Sequence, residues 1–304
     1  MNHELDLPRI SIVMPSYNQA GFLENSIHSV LSQGYPNKEL ILIDGGSADG
    51  SLEIIQSYQD RLAYWVSEKD RGQSHAINKG FKHCTGDLIT FLSSDDRYLP
   101  GALQFAAEKY QSNPDCGAIV GGFRFLDEKG QVAQGTIPPR LPHATPCDFT
   151  LIPPGDWRLH QVSTFYTRHA LDSVGRYVRE DLNYVMDREL LFRVANQFEV
   201  VLDERAYGAF RRHPDSKSMS AGIPFSEEFA QLYLDAKNGN PRDDHIREKI
   251  TRFFRAKGYL HFAKYHDQIP ECNRAFLKAL QINPGFMLSR RFWAALIKKN
   301  FNIE

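Results

Sequence analysis

No apolar run in this chain approaches the roughly 18 residues that a transmembrane helix requires. Neither sign of charge is in excess. The 36 Lys+Arg against 37 Asp+Glu leave a net charge of −1, which excludes a uniformly basic nucleic-acid binder. Cysteine is scarce: Cys84, Cys116, Cys147 and Cys272 lie far apart and form no CxxC pair. That spacing argues against a zinc site or a disulfide framework and for reduced thiols packed as small apolar residues. Glycine-rich phosphate fingerprints are missing as well. Neither G-x-G-x-x-G nor G-x-x-x-x-G-K occurs, so hydride transfer and P-loop chemistry lose their usual signatures. Met1 to Arg9 carries acids and no apolar core, unlike a signal peptide. What is present suits a folded protein: 304 residues, 42% hydrophobic and 12% aromatic, enough for one large or two modest domains. The expectation is a soluble, cytoplasmic protein.

The charge is unevenly spread. From residue 241 onward, 13 Lys+Arg face 6 Asp+Glu, a balance of +7, which leaves 23 against 31, or −8, for residues 1–240. In the first half, β-branched apolar runs alternate with helical spacing. Strands are expected at Ile10–Met14, Leu40–Asp44, Ala63–Ser67, Leu88–Leu92 and Cys116–Phe125. Helices are expected across Phe22–Leu31, from Ser51, over Ser74–His83 and over Leu99–Tyr110. That alternation implies right-handed crossovers and an α/β fold whose mostly parallel sheet is covered on both faces. The rhythm breaks at residues 138–154, which hold six of the 16 prolines and read as an extended loop or lid. Val162–Tyr166 is strand-like, Tyr184–Ala195 helical and Glu199–Leu202 a strand. The pattern past Ile223 is helical, dividing the chain into 1–223 and 224–304.

In parallel sheets ligands bind outside the carboxyl ends of the strands. Three such ends here are polar or acidic: Pro15-Ser16-Tyr17-Asn18, Asp44-Gly45-Gly46 and Ser94-Asp95-Asp96. Each alone could be ordinary turn chemistry. Three converging at one edge suggest a site.

These residues, in this order, resemble the family 2 glycosyltransferases, inverting enzymes of the GT-A fold. Pro15–Asn18 resembles the family's opening strand end. Asp44-Gly45-Gly46-Ser47-Ala48-Asp49-Gly50-Ser51 resembles its D-(G/D)-x-S-x-D-G-(S/T) loop, and Asp70 to Gly80 its D-x-G-x-x-x-A-x-N-x-G stretch. Phe91-Leu92-Ser93-Ser94-Asp95-Asp96 takes the place of the DxD-type metal motif, although Ser94 stands where a strict D-x-D would have an acid. The resemblance covers roughly residues 8–215 and leaves the tail outside.

It implies a nucleotide-sugar donor, of the UDP type, and Mn²⁺ or Mg²⁺ bridging its diphosphate through hard oxygen ligands. Asp96 is the implied metal ligand, with Asp95 facing the ribose or donor sugar; the alternative is a turn ahead of Pro100. Asp44 and Asp70 are implied at the nucleotide, with Pro15 and Tyr17 walling its base. Asp49 reads instead as a cap for the helix at Ser51. An inverting transfer needs a carboxylate to take the acceptor's proton. Met186-Asp187-Arg188-Glu189-Leu190 fits the family's (E/M)-D-x-x-L pattern and nominates Asp187. An Asp at a helix start is also a plain cap, and the helix dipole there would lower its pKa. Gln161, in a Q-x-(S/T)-x-F match, is implied on the donor sugar or acceptor, or else is a structural amide. Arg211-Arg212-His213-Pro214-Asp215-Ser216-Lys217-Ser218 resembles an R-x-H-x-x-S-x-S segment. Arg211 and Lys217 are thereby implied at the diphosphate, and His213 at the metal.

In the tail, Ala256, Tyr259, Leu260 and Ala263, then Ala275, Phe276, Ala279 and Leu280, suggest an amphipathic helix pair of tetratricopeptide type. Arg290, Arg291, Phe292, Trp293, Lys298 and Lys299 form a basic-aromatic cluster suited to an anionic membrane surface, or else a solvated helix end. The acceptor expected is a glycan or a lipid-linked molecule. Two rivals stand beside the glycosyltransferase reading. A nucleotidyltransferase would need a basic glycine-rich loop after the first strand, and Pro15–Gly21 has no basic residue. A non-catalytic nucleotide-sugar-binding or assembly module would make the helical tail the working part.

Overall fold

The computed structural model describes residues 7–127, 129–140, 159–211, 222–236 and 269–284, together with His213, Lys217, Arg252, Arg255, Ala256 and Tyr259. The described chain divides into two compact units: one holds Met1–Asp181 and Met186–Arg212, the other Leu182–Val185 and His213–Glu304. Most of the proline-rich stretch, Cys147 and the basic-aromatic cluster at 290–299 lie outside the described residues.

The first unit is built on an eight-stranded sheet. Its elements run β1 (Ile10–Ser16), α1 (Ala20–Leu31), β2 (Lys38–Asp44), α2 (Ser51–Tyr58), β3 (Tyr64–Ser67), α3 (Gln73–Phe81) and β4 (Leu88–Phe91). They continue through β5 (Arg97–Tyr98), α4 (Ala102–Ser112), β6 (Ala118–Leu126), β7 (Thr164–Thr167), α5 (Arg168–Ser173), α6 (Met186–Ala195) and β8 (Val200–Arg211). The strand order is β3-β2-β1-β4-β7-β6-β8-β5. Pairings β1–β2, β2–β3, β1–β4 and β6–β8 are parallel, whereas β7 runs antiparallel to both β4 and β6. The expected mostly parallel sheet is present, with antiparallel strands entering in its second half.

The sequence explains why β1 is central. All seven of its residues are buried, as a strand covered on both faces requires. Ile12 and Met14 join Leu23, Ile27 and Val30 of α1 and Leu40 and Leu42 of β2 in one core cluster. Val13 faces the opposite layer. There a Cβ on Gly80 of α3 would stand 2.3 Å from Val13 Cγ1, so only glycine lets this helix lie on the strand. Pro15, which cannot donate to a ladder, is tolerated because β1–β4 pairing ends at Val13–Phe91, two residues earlier.

Several boundaries differ from the sequence expectations. The residues of Val162–Ser163 belong to a 3₁₀ turn, Gln161–Ser163, and the strand begins at Thr164. The helix expected from Tyr184 starts at Met186, and the one expected from Leu99 starts at Ala102. The strand expected to stop at Leu202 continues to Arg211.

In the second unit, α7 spans Gly222–Ala236 and α8 spans Ile269–Ile282. Cys272, Ala275, Phe276 and Ala279 of α8 are buried, while Leu277 is exposed. Glu227 of α7 pairs with Arg255, and Arg252 donates to the Ile282 carbonyl. No described helix is long and apolar enough to cross a membrane.

Candidate active site

Strands β1 to β4 all end on one edge of the sheet, and antiparallel β7 begins there, which brings Gln161 to the same edge. Strands β6 and β8 run in the same sense as β4 and deliver Asp127 and Arg211. Chain order reverses between β1 and β4, where α/β sheets open a ligand crevice.

Asp44 is fully buried and already occupied. It accepts from the N–H groups of Gly46 and Ser47 at 3.1 and 2.9 Å, from Ser47 Oγ at 2.5 Å and from Ser67 Oγ at 2.7 Å. Its carboxylate therefore shapes the loop after β2. On that loop a Cβ at Gly45 would lie 3.0 Å from Asp70 Oδ2 and 3.2 Å from the Tyr17 ring, so Tyr17 and Asp70 converge over a bare backbone. Tyr17 is 60% exposed, unusual for so large a ring. Asn18, in the left-handed region at φ 50°, accepts from Ala48 N–H and donates its own N–H to Ser47, tying the two loops together. Asp49 accepts from Ser51 and from Ala20 N–H, the capping role expected of it. Those bonds hold its carboxyl below the usual range.

Asp96 is 2% exposed and accepts from Arg211 N–H at 2.9 Å. Among the described residues no donor meets its Oδ2. Burial, and then the charge of Asp95, push its carboxyl well above the ordinary range. Asp95 is half-buried and shows surface. Arg211 is only 4% exposed. Its guanidinium donates to the carbonyls of Asp95 and Asp127 and lies over the Phe22 ring at 4.6 Å. It thus supports the acidic loop from beneath instead of presenting itself at the surface. Ser26 donates to the carbonyls of Ser94 and Asp96, and Gln73 donates to Ser93.

Two adjacent carboxylates, one with an oxygen left without a donor, suit a hard divalent cation. Such an ion needs only one or two carboxylates when phosphates and waters complete its shell. Among the described residues no group of three such ligands occurs.

Asp187, the second residue of α6, shares a narrow pocket with Leu159, His160, Gln161, Thr164, Tyr166, Arg188 and Leu191. A quarter of its side chain (24%) meets solvent, and Arg188 approaches only to 3.9 Å. Burial pushes the Asp187 carboxyl up, outweighing Arg188 and the local N–H groups. The direction reverses the lowering expected from a helix start. Gln161 Nε2 is buried in this region with no hydrogen-bond partner, as is Ser16 Oγ at the end of β1. Gln19 Oε1, Arg97 Nε and Glu189 Oε2 are likewise buried without a partner. Buried polar groups are normally paired, and the orphans beyond the ends of β1 and β4 and before β7 are places where a bound molecule could supply one. His213 and Lys217 belong to the second unit, where Lys217 Nζ donates to the Asn183 carbonyl at 3.4 Å.

The sequence profile of glycosyl transferase family 2 matches residues 11–181, more than half of the chain. The chain belongs to that family. A glycosyltransferase of Rickettsia typhi is 26% identical over 263 residues, covering 83% of this chain and 82% of that protein. A Bacillus subtilis glycosyltransferase named for teichuronic acid biosynthesis is 31% identical over 126 residues, covering 40% of this chain and 50% of its own. Among solved structures, S. aureus TarS 1–349 in complex with UDP-GlcNAc superposes with a TM-score of 0.58 at 16% identity, covering 95% of this chain and 84% of that one. The Pyrobaculum calidifontis mannosyltransferase PcManGT, in complex with GDP-Man and Mn²⁺, gives 0.59 at 17%, covering 99% and 89%. The GT-A fold expectation holds, and this glycosyltransferase is an enzyme by family.

Sequence reasoning overlooked the supports of the site. Ser26, Phe22 and Ser67 sit in helices or strands with no motif of their own, Gln73 falls on an unspecified position of the Asp70–Gly80 stretch, and only the folded chain sets them beside the acidic loops. Asn78 and Gly80 stand out in the sequence only as parts of the Asp70–Gly80 stretch. The structure gives each a job: Asn78 exchanges two hydrogen bonds with the Val178 backbone.

Proposed function

We propose that the glycosyltransferase is inverting and moves a sugar from a nucleotide-linked donor, of the UDP type, to a hydroxyl of a glycan or lipid-linked acceptor. The observation that carries this reading is the pocket in which Asp187, with its raised carboxyl, stands beside the unpaired Gln161 amide on the edge that holds Asp95 and Asp96. The nucleotide sugars in the TarS and PcManGT complexes support the donor class.

The acceptor oxygen attacks the anomeric carbon while the bond from that carbon to the diphosphate oxygen breaks. The acceptor proton passes to Asp187, and the nucleoside diphosphate leaves. A carboxyl shifted upward by burial is a better proton acceptor near neutral pH than an ordinary aspartate. Gln161 orients a sugar or acceptor hydroxyl through its free N–H. Tyr17 and Asp70 meet the nucleotide beside Pro15, with Asp44 fixing the loop behind them. Asp95 and Asp96 would hold Mn²⁺ or Mg²⁺, and Arg211 keeps that pair in position. When bound, the cation neutralises the charge that develops on the departing diphosphate. The roles of His213 and Lys217 rest on the sequence motif alone.

Asp187→Asn tests the assignment. Asn keeps the size of the side chain and can still cap a helix, but it cannot take a proton. Turnover should fall by about 10²–10⁴ while nucleotide-sugar affinity holds. Activity retained within a few-fold would refute the base. The basic end of the chain supports peripheral contact with an anionic membrane on the cytoplasmic side. Removing residues 285–304 should abolish cosedimentation with anionic vesicles at low salt and leave donor hydrolysis intact.

A further inference from the structure

Four tyrosines are buried among the described residues, and three of them have partners for their hydroxyls. Tyr35 donates to the Pro8 carbonyl at 2.5 Å, Tyr207 donates to Asp203 at 2.9 Å, and Tyr98 meets Thr90 Oγ1 at 3.4 Å. Tyr166 is the exception. It is 2% exposed, yet its hydroxyl makes no hydrogen bond among the described residues. A buried phenol normally finds a partner for that group.

Alternation along β7 places this side chain. Phe165 faces the core, stacked on Tyr98 at 5.7 Å and edge-on to Tyr207 at 5.8 Å. Thr164 and Tyr166 lie on the other face of the strand and line the pocket that holds Asp187 and Gln161. All of these residues belong to the first unit. Burial, and then the charge of Asp187, push the Tyr166 phenol up, so it stays protonated and offers a donor.

The pocket therefore combines one group that can take a proton with two that donate hydrogen bonds, the Gln161 amide and the Tyr166 hydroxyl. A single acceptor hydroxyl cannot use all three. Its proton goes to Asp187, and one lone pair must stay free to attack the anomeric carbon. Only one lone pair is left to accept a hydrogen bond. The second donor needs a second oxygen, and the narrow pocket requires that oxygen to be close to the first, as on neighbouring carbons of a sugar ring. We infer that Tyr166 is a specificity-determining residue of the acceptor site: its hydroxyl donates to the oxygen beside the reacting one. The acceptor group is then a sugar with adjacent oxygens and not a lone alcohol. This inference rests on the reading of Asp187 as the base.

The test uses the full chain with Mn²⁺ and the donor it turns over fastest among UDP-GlcNAc, UDP-glucose, UDP-galactose and GDP-mannose. The acceptors are the octyl glycosides of glucose, galactose, mannose and N-acetylglucosamine, then the monodeoxy analogues of the best of them, with 1-octanol as the lone alcohol. Tyr166→Phe keeps the ring and removes only a hydroxyl that has no partner in the fold, so thermal stability should not fall. With the best glycoside, kcat/KM for the acceptor should drop about three- to tenfold, the worth of one hydrogen bond, while the donor KM stays within about twofold. One monodeoxy analogue, lacking the hydroxyl that Tyr166 holds, should be used equally well by both enzymes. Unchanged acceptor kinetics in Tyr166→Phe overturn the inference, and so does an equal loss with every analogue. A rise in donor KM overturns it too, because the hydroxyl would then serve the donor sugar. Octanol used as well as every glycoside, or donor turnover that no glycoside accelerates, would exclude the sugar acceptor. A fully active Asp187→Asn enzyme would instead overturn the base, and with it the count of lone pairs.

Discussion

Glu39 and Asp96 are both buried carboxylates at opposite edges of the same sheet, and their surroundings drive them in opposite directions. Burial alone would raise Glu39, but Ser11 Oγ at 2.5 Å, the N–H and hydroxyl of Thr85, and Arg9 outweigh it and hold the carboxyl low. Asp96 receives one backbone N–H and faces a second negative charge on Asp95, so burial wins and its carboxyl is held high. Glu39 is satisfied by the protein, whereas Asp96 keeps one oxygen without a donor among the described residues, as the proposed cation site requires. Asp96→Asn keeps the acceptor for Arg211 N–H and removes the charge. Wild type should therefore gain thermal stability on adding Mn²⁺, by about 2.7 kcal/mol at 100 times the dissociation constant, and the variant should gain almost none. An equal Mn²⁺ shift in both proteins, measured by thermal denaturation, would remove Asp96 from the metal site. Glu189 offers a contrast within α6. Two residues past Asp187, its Oε1 pairs with Arg193 at 2.7 Å although its Oε2 is buried without a hydrogen-bond partner, and Arg193 in turn donates to the carbonyls of Val174 and Tyr177. That carboxylate is structural.

At the scale of elements, α3 and β1 meet through the absence of a side chain. A Cβ at Gly80 would enter Val13, with Cγ1 at 2.3 Å and Cγ2 at 2.9 Å, so Gly80→Ala overpacks the interface. The expected loss is about 1–3 kcal/mol, the usual cost of inserting a methyl into a filled core. Val13→Ala in the same chain should return part of it, and denaturant unfolding of the two single variants and the double variant measures the coupling. Additive losses would show that the two side chains do not compete. The first four strands were legible in the sequence because each is a short apolar run bounded by turn residues, with a polar or acidic end. Past residue 160 the pattern misled for physical reasons. Asp203-Glu204-Arg205 looks like the end of a strand, yet β8 continues through a register irregularity there. Asp203 folds back on Arg205 and the Tyr207 hydroxyl, which satisfies polar groups inside a strand. Likewise Asp44 and Asp187 were nominated in the sequence by type and order. The occupancy of Asp44 and the upward shift of Asp187 depend on neighbours 21 and more residues away, Ser67 for the one and the Leu159–Tyr166 pocket wall for the other.

For the whole molecule, the carboxylates fall into two sets with opposite pH dependence. Glu39, Asp49 and Asp203 are held below their ordinary values, so each stabilises the fold above the unfolded pKa and loses that contribution as pH falls through its folded pKa. Asp96 and Asp187 are held above theirs. Their contribution is complete at acid pH, where they are neutral in both states, and is lost as pH rises through the folded pKa, because the unfolded chain releases its protons first. At neutral pH without metal the two raised carboxyls are therefore a stability cost that the lowered set offsets, as the proposed roles of Asp96 and Asp187 would lead one to expect. The double variant Asp96→Asn/Asp187→Asn removes the second set and keeps the first. In metal-free buffer it should be more stable than wild type at pH 7–8. The advantage should shrink on acidification and vanish near about pH 4, where ordinary carboxyls become neutral. Both proteins should then lose stability together as the first set protonates. Chemical denaturation midpoints across that range decide the matter. A double variant that is less stable than wild type at pH 8 would mean that the two carboxylates are paired structural groups, and the division of the chain's acids into builders and workers would fail.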